Sequence, residues 1–423
     1  MLTKPKYLDF SFPELASLAE LQGVGLRDLL GKYREEIADL EEIRIREEFA
    51  QKCRDNPCIY VHFPSVETAK SLLKRSICIE KFLSVYASGP SIDSLLSQLL
   101  NNPAFLLLIA NPDLSFSFSI DFFQDSVPQA AKVQLIDRFD PLPIQGKVDA
   151  VNPKLKFWVV RDVSQVFYFG LEAAGLPVGP RFYSQYRLSK RDYLGPTSTD
   201  NDLAFLMVNE ALVTEKSIVL DPFVGTGSIL VAAQHFGALC FGSDIDMRVL
   251  KGLKVGKSRT GKEADIFTNF INYGLQLPDI LRCDNSKPAW GLPSVFDAII
   301  CDPPYGVRAR SRTAGNKSIP TQSFIPDTHQ YESKQLVEDL MSLAARLLVL
   351  GGRLVFLLPT DRLTYSSESL PRNPLLRLVS NSENVLSRKT ARRLLTWERV
   401  DEVQREASQG HCFYETPRKV WRS

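Results

Sequence analysis

The stretch VFDAIICDPPYG, residues 295–306, carries an apolar run directly into an acid, two prolines and an aromatic ring. Residues 295–300 have the length and composition of a buried strand. Because the prolines fix the backbone that follows, Asp302 and the carbonyl of Pro303 are held as hydrogen-bond acceptors beside the π-face of Tyr305. Such a strand end suits a planar amine, for example the exocyclic nitrogen of a base.

The rest of the second half alternates strands and helices around that stretch. Strands are predicted to end near residues 220, 243, 281, 301 and 358, with helices between them. The alternation predicts a doubly wound parallel sheet, whose ligand lies at the carboxyl ends of the strands. Thr199 and Asp202 have the spacing of a capping box that opens a helix near Leu203. The basic residues 388–393 are interpreted as a solvated helix.

The first of these strands runs into two closely spaced glycines. The segment contains, in order, Asp221, Pro222, Phe223, Val224, Gly225, Thr226 and Gly227. The glycines let a ligand approach the start of the next helix, although a tight turn needs glycine too. Because the carboxylate of Asp221 would repel a pyrophosphate, the segment is not the phosphate-binding fingerprint. It favours a positively charged ligand instead, such as the amino-acid end of a sulfonium cofactor.

Two further strands also end in acids. Asp244, followed by Ile245, lies roughly 20 residues past the glycines, where an acid commonly accepts ribose hydroxyls. Asp284 and Asn285 follow the third strand, where a carboxylate can accept from the amine of adenine. Each acid alone could be a solvated loop charge. Four acids at successive strand ends favour a nucleoside cofactor instead.

The residues of the DPPY stretch, 302–305, are suited to making the nitrogen of an aromatic amine reactive. The lone pair of that nitrogen is normally delocalised into the ring of the base, and it must be freed before it can attack. Oxygens of Asp302 and Pro303 can accept both hydrogens of a conjugated amine, whose nitrogen is then free to attack an electrophilic methyl group. Pro304 stiffens the turn, and stacking on Tyr305 contributes roughly 1–3 kcal/mol. The main contribution to the rate is expected from holding the methyl donor and the amine in near-attack geometry. The neighbouring Cys301 is predicted to be a buried core thiol rather than a nucleophile.

Basic side chains near these motifs are candidates for phosphate contact in RNA. They are Arg308, Arg310, Arg312 and Lys317 past Tyr305, and Lys190 and Arg191 before the first strand. The net charge of +2 says little about nucleic acid. Seven scattered cysteines favour a reducing compartment, and Cys53 and Cys58 lack a second ligand pair, so no metal site is predicted. No signal peptide or membrane span is predicted, which favours the cytoplasm or the nucleus, and the cytoplasm is the predicted location.

These motifs resemble the eukaryotic tRNA (guanosine-10, N2) methyltransferase family, with a match over nearly the whole chain. The strings that carry the resemblance are DPFVGTG at 221–227, GSDID at 242–246, SKPAW at 286–290, DPPYGVR at 302–308, KRDYLGPTS at 190–198 and LGGRLVF at 350–356. Ser228 stands where relatives often have a third glycine. The resemblance implies a Rossmann-like class I methyltransferase that uses S-adenosylmethionine on tRNA. It also implies a small zinc-binding activator subunit as partner.

The resemblance also implies an α+β N-terminal region with a THUMP domain, a module that holds the tRNA acceptor end. The predicted domains are an N-terminal α+β domain (1–89), a THUMP-like domain (90–175), a linker (176–200) and the catalytic domain (201–423). Two other functions remain open from the sequence. One is an amino methyltransferase for DNA adenine or protein glutamine. The other is a catalytically silent RNA-binding or scaffold protein.

Overall fold

The computed structural model describes most of the chain. The described residues are 1–3, 8–123, 125–175, 181–195, 198–253, 257–258, 261, 263–291, 293–304, 312–314, 328–330 and 333–401. The chain folds as two units, Met1–Arg181 and Phe182–Ser423. The predicted domain limits within these units stay predictions. No single described helix is long and apolar enough to cross a bilayer, and one pair bent by 86°, Ile92–Leu100 with Pro103–Ile109, passes that test only jointly.

The first unit is a five-stranded sheet with helices. Its strands are β1 (Leu2–Thr3), β2 (Ile79–Gly89), β3 (Phe116–Phe122), β4 (Leu155–Arg161) and β5 (Phe167–Gly175). Its helices are α1 (Leu8–Leu21), α2 (Leu26–Leu29), α3 (Glu42–Asp55), α4 (Val66–Arg75), α5 (Ile92–Leu100), α6 (Pro103–Ile109) and α7 (Gln129–Asp137). The strand order is β1-β2-β5-β4-β3, and only β3 and β4 are parallel neighbours.

A buried carboxylate joins the first helix of this unit to the start of β2. Glu14 is 0% exposed and accepts hydrogen bonds from Ser76 Oγ at 2.7 Å, Ile77 N at 2.7 Å and Cys78 N at 2.8 Å. Burying a charge is costly unless hydrogen bonds compensate for lost hydration. These three donors supply that compensation, so an acid inside an apolar helix is compatible with the core.

The second unit contains a seven-stranded sheet. The strands of the unit are β6 (Tyr193–Leu194), β7 (Ile218–Asp221), β8 (Leu239–Asp244), β9 (Lys257–Ser258), β10 (Asp279–Arg282), β11 (Phe296–Cys301), β12 (Arg312–Ala314), β13 (Thr328–Gln330), β14 (Leu348–Asp361), β15 (Leu376–Val385) and β16 (Thr390–Arg399). The helices are α8 (Asn201–Glu210), α9 (Ser228–His235), α10 (Met247–Leu250), α11 (Ile266–Tyr273) and α12 (Ser333–Leu347). The large sheet has the order β10-β8-β7-β11-β14-β16-β15, and β6–β9 and β12–β13 form small pairs.

The prediction of a parallel sheet is confirmed for five strands and wrong for the last two. Strands β10, β8, β7, β11 and β14 are parallel neighbours, whereas β16 is antiparallel to both β14 and β15. The predicted helix at residues 388–393 is therefore wrong, because this segment enters strand β16. A hairpin connection needs only a few residues, whereas a parallel pair needs a crossover.

Alternation along β14 and β16 sorts their side chains onto two faces of the sheet. Leu395 and Trp397 pack with helix α12 in one buried cluster. Thr396 lies on the opposite face, where its hydroxyl donates to the carboxylate of Glu210 at the end of α8. Because successive strand residues point to opposite faces, Arg392 shares the α8 face with Thr396. Arg392, near the start of β16, and Thr199, just before α8, therefore both reach Asp302 at the end of β11.

Candidate active site

The four predicted acids meet at the carboxyl edge of the large sheet. Asp221 and Asp244 are the last residues of β7 and β8, Asp284 follows β10 by two residues, and Asp302 directly follows β11. The sheet order β10-β8-β7-β11 places these strands side by side. Because the carboxyl ends of parallel strands share one edge, the acids form a row there.

Asp221 is the most buried acid of the row. It is 1% exposed, and its Oδ1 accepts a hydrogen bond from Phe223 N at 3.0 Å. Burial raises the pKa of this carboxyl well above its usual value, and the negative charges of Asp244 and Asp302 add to the shift. A positive ligand would relieve both effects, because an opposite charge favours the ionised form.

The loop after β7 depends on glycine at two positions. Gly225 has φ +50° and Gly227 has φ +81°, which is the left-handed region that L side chains rarely adopt. A Cβ at Gly227 would also lie 3.0 Å from Cε2 of Phe270. The loop is tied to β8 because Val224 N donates to Ser243 O at 3.0 Å. The glycines thus bring bare backbone to the start of α9.

Asp244 fixes this loop as well as lining the sheet edge. Its Oδ2 accepts from Gly225 N at 3.0 Å, and its Oδ1 accepts from Asp246 N at 2.9 Å. Burial raises the pKa of Asp244, while the backbone hydrogen bonds oppose that shift. A carboxylate has about four lone-pair sites, and the backbone of Ile245 donates to Asp244 as well, so some acceptor capacity remains for a ligand. Ile245, the next residue, is half-buried.

The remaining predicted cofactor residues lie close to the same loops. Asp284 Oδ1 accepts from the backbone nitrogen and hydroxyl of Ser286, at 3.0 and 2.8 Å. Asn285 Nδ2 donates to the carbonyl of Pro222, so the loops after β10 and β7 are joined directly. Thr226 is buried, with its hydroxyl 2.9 Å from Ser198 Oγ. Phe223 is half-buried.

Asp302 is held from two sides through a single oxygen atom. Its Oδ2 lies 3.3 Å from Nη1 of Arg392 on β16 and accepts from Thr199 Oγ1, just before α8, at 3.5 Å. Burial raises the pKa of Asp302, and Arg392 opposes that shift more than Thr199 does. Pro303 is buried and Pro304 half-buried. Tyr305 lies outside the described residues.

Two contacts of Asp302 were not predicted from the sequence. The sequence predicts Arg392 on a solvated helix, and it predicts Thr199 only as half of a capping box with Asp202. In the structure α8 begins at Asn201, and its N-cap is Asp200, whose side chain accepts from Asp202 N. A sequence feature could have placed Arg392 on a strand instead of a helix. Residues 376–385 and 390–399 are two strand-length segments around a short polar connection, which is typical of a β-hairpin.

The basic residues predicted to contact RNA have different positions. Arg308, Arg310 and Lys317 lie outside the described residues, and for Arg312 only the strand β12 is described. Lys190 is exposed. Arg191, in contrast, is 1% exposed and donates inward to Tyr186 O at 3.1 Å and Ser228 Oγ. The prediction that Arg191 contacts phosphate therefore disagrees with the structure. Although Arg191 belongs to a charged stretch of sequence, its guanidinium is buried and makes hydrogen bonds inside the unit.

The contact with Arg191 also explains the departure at Ser228. This residue opens α9 and is buried. Its hydroxyl accepts a hydrogen bond from Arg191 Nη1. Glycine at this position would leave that buried guanidinium without one of its acceptors. Serine here is thus compatible with the same helix start.

Comparison with known proteins agrees with this architecture. Residues 32–167 match the model of the "Tmrp11 THUMP N-terminal domain", and residues 189–322 match that of the "RMKL-like, methyltransferase domain". The chain is therefore a methyltransferase whose N-terminal part is of the THUMP type, as predicted. Among solved structures, TrmN from Thermus thermophilus is 19% identical with a TM-score of 0.39, over 80% of this chain and 89% of that one.

Curated relatives narrow this class to one family. The chain is 33% identical over 432 residues to tRNA (guanine(10)-N(2))-methyltransferase TRMT11 from Gallus gallus, covering 96% of this chain and 88% of that protein. Identity to the Homo sapiens protein of the same name is 33%, over 98% and 90% of the two chains. For Dictyostelium discoideum it is 32%, over 94% and 81%. The chain belongs to the TRMT11 family of tRNA (guanine(10)-N(2))-methyltransferases.

Proposed function

We propose that this enzyme transfers a methyl group from S-adenosylmethionine to the exocyclic N2 amine of the guanosine at position ten of tRNA. The observation that carries the proposal is the placement of Asp302, directly before the buried Pro303, in line with three further acids at the sheet edge. Membership of the TRMT11 family supports the choice of tRNA guanine as substrate.

The residues at the sheet edge fit the proposed cofactor. Asp221 is a buried acid whose raised pKa a cationic ligand would lower, and Gly225 and Gly227 leave room for close approach. Asp244 retains acceptor positions suited to ribose hydroxyls, and Asp284 is a candidate acceptor for the adenine amine. When bound, S-adenosylmethionine supplies a methyl group on a positively charged sulfur.

The substrate amine is proposed to bind to the residues that follow β11. A carboxylate oxygen of Asp302 and the carbonyl of Pro303 would accept the two hydrogens of the amine, which weakens the conjugation of the nitrogen lone pair with the ring and leaves it free to attack the methyl group. The nitrogen–carbon bond would form as the sulfur–carbon bond breaks, and the nitrogen would release one proton toward Asp302. Tyr305 is proposed to stack on the base. A guanine inside a helix cannot reach this depth, so the base must be turned out of its stack. The chain thereby acts by positioning the amine in near-attack geometry.

A transfer assay tests the proposal directly. Purified protein is incubated with radiolabelled S-adenosylmethionine and with unmodified tRNA, DNA or a glutamine-containing protein, followed by nucleoside or amino-acid analysis. Label in N2-methylguanosine at position ten is the expected result. Label in adenine or glutamine would instead support the other amino methyltransferases, and failure to bind the cofactor would support a silent RNA-binding protein.

Two further parts of the proposal concern the partner and the compartment. We propose that a small zinc-binding activator subunit binds the catalytic unit, as the family resemblance implies, and that the complex works in the cytoplasm. The six described cysteines are free thiols, which suits a reducing compartment. Co-purification followed by the assay with and without the partner tests the first point, and fluorescence localisation tests the second.

Cofactor affinity is expected to increase with pH. The raised pKa values of Asp221 and Asp244 mean that these acids bind protons more readily than exposed acids do. A cationic cofactor prefers them ionised, so its binding expels protons and strengthens as pH rises through those pKa values. Calorimetry from pH 5 to pH 8 measures this. Asp221→Asn should weaken binding at pH 8 and flatten the profile, whereas a flat profile in the wild type would contradict the expectation.

Asp244→Ala is expected to raise the cofactor dissociation constant by about tenfold or more. The substitution removes the ribose acceptor and also releases Gly225 N, and each lost hydrogen bond to a charged group is worth about 1.5–3 kcal/mol. Asp244→Asn keeps one acceptor oxygen and should show a smaller increase. Calorimetric titration at constant pH provides the measurement. Equal dissociation constants for Asp244→Ala and the wild type would exclude the assigned role.

A further inference from the structure

Arg392 is a charged side chain at the candidate active site to which neither the family resemblance nor the sequence motifs give a role. It comes from β16, which is antiparallel to its neighbours, and reaches Asp302 although 90 positions separate the two residues. Both side chains are half-buried. A cation beside the acid that is proposed to receive the substrate amine either competes with that amine or prepares the acid for it.

The contacts of Asp302 distinguish these two possibilities. Arg392 Nη1 and Thr199 Oγ1 both approach Oδ2, at 3.3 and 3.5 Å. Among the described residues, Oδ1 has no hydrogen-bond partner. One oxygen of the carboxylate is thus anchored and the other is left as an acceptor. Arg392 therefore does not occupy the position that an amine needs.

We propose that Arg392 is a positioning residue for methyl transfer, which anchors Oδ2 of Asp302 so that Oδ1 faces the substrate amine as an acceptor. The inference rests on the proposed function of Asp302. An anchored carboxylate cannot rotate away from the amine, and preorganised acceptors act without reorganisation at the moment of reaction. The guanidinium suits this task because it donates in a fixed plane and stays charged.

The charges around Asp302 make this role visible in the pH dependence. From β7, Asp221 contributes a negative charge that interacts with Asp302, and Cys301 precedes it on β11 as a buried thiol. Arg392 on β16 is the cation that faces Asp302 among the described residues, and Thr199 faces it from the start of α8. Burial raises the pKa of Asp302 and Arg392 lowers it. Removing Arg392 should therefore leave Asp302 protonated up to a higher pH.

Arg392→Met is expected to lower kcat/KM at pH 7 by about 10- to 100-fold, the effect of losing one charge-assisted hydrogen bond at a reacting group. The acidic limb of the pH–activity profile should move to higher pH, so that activity recovers under alkaline conditions, while the KM for tRNA changes little. Arg392→Lys keeps the charge and should restore the limb toward its wild-type position. Steady-state transfer to unmodified tRNA, measured from pH 5 to pH 9 and in the complex with the proposed partner, gives these parameters.

A neighbouring arginine provides the matched control. Arg393 on the same strand points to the other face of the sheet, where its guanidinium lies 4.1 Å from the ring centroid of Tyr365 and 3.8 Å from Glu383 Oε1. Arg393→Met removes the same charge from the same strand. Its acidic limb should coincide with that of the wild type. A limb that shifts equally in both variants would overturn the proposal in favour of a general charge effect.

A double-mutant cycle separates positioning from direct RNA contact. In the Asp302→Ala background, Arg392→Met should have no further effect on transfer, because both oxygens that the guanidinium could hold are gone. Additive losses, or a raised KM for tRNA with an unmoved pH limb, would overturn the positioning role and indicate a phosphate contact. Absence of N2-methylguanosine with the wild-type protein, assayed both alone and with the proposed partner, would instead overturn the proposed function itself.

Discussion

Asp302→Ala is expected to reduce methyl transfer by about 10²–10³-fold while leaving the cofactor dissociation constant near that of the wild type. The loss corresponds to removing one preorganised polar contact from a reacting group. Asp302 lies at the end of β11, whereas the proposed cofactor residues lie at the ends of β7, β8 and β10. The acceptor side and the donor side of the reaction can therefore be perturbed separately.

Single-turnover transfer and cofactor calorimetry on the same preparation measure the two quantities. Asp302→Asn keeps the size of the side chain and an acceptor oxygen but loses the charge, so its activity should lie between those of Asp302→Ala and the wild type. Asp279→Ala is the matched control, because Asp279 is an exposed acid at the amino end of β10. Wild-type turnover in Asp302→Ala would exclude the assignment of Asp302.

The row of acids could be predicted because local patterns determine it. An apolar run predicts a buried strand, the residue after it lies at the strand end, and parallel strand ends share one edge. Asp221, Asp244, Asp284 and Asp302 follow such runs, so their approximate position required no knowledge of long-range pairing. Their roles toward a cofactor stay predictions.

Arg392 could not be placed in this way. Its contact with Asp302 depends on the antiparallel register in which Arg392 pairs with Pro359 on β14. A shift of one residue would move it to the other face, and the run of arginines gives no indication of that register. Arg191 illustrates the same difficulty, because its burial depends on Tyr186 and Ser228, which contact it only after folding.

The other large effect is expected from Glu210, which joins the face of the sheet that carries Arg392 to helix α8. Glu210 is 0% exposed, and its Oε2 accepts from Ser380 Oγ on β15 at 2.7 Å and from Thr396 Oγ1 on β16 at 2.5 Å. Its own carbonyl accepts from Arg353 Nη1 at 2.9 Å. One residue at the end of α8 thus holds three strands.

Glu210→Ala is expected to destabilise the catalytic unit by about 3 kcal/mol, because two buried hydroxyls lose a charged acceptor. Hydrogen exchange of the β15 and β16 amides measures this loss for the unit alone. Glu210→Gln keeps an acceptor and should recover part of it, and Glu338→Ala, on the exposed side of α12, should change stability by less than about 0.5 kcal/mol. An equally small loss of stability in Glu210→Ala would mean that the carboxylate does not stabilise the antiparallel pair of β15 and β16. Because Arg392 lies on β16, a loosened β15–β16 pair should also weaken the contact between Arg392 and Asp302. The rate of methyl transfer in Glu210→Ala should therefore fall by a larger factor than the cofactor affinity.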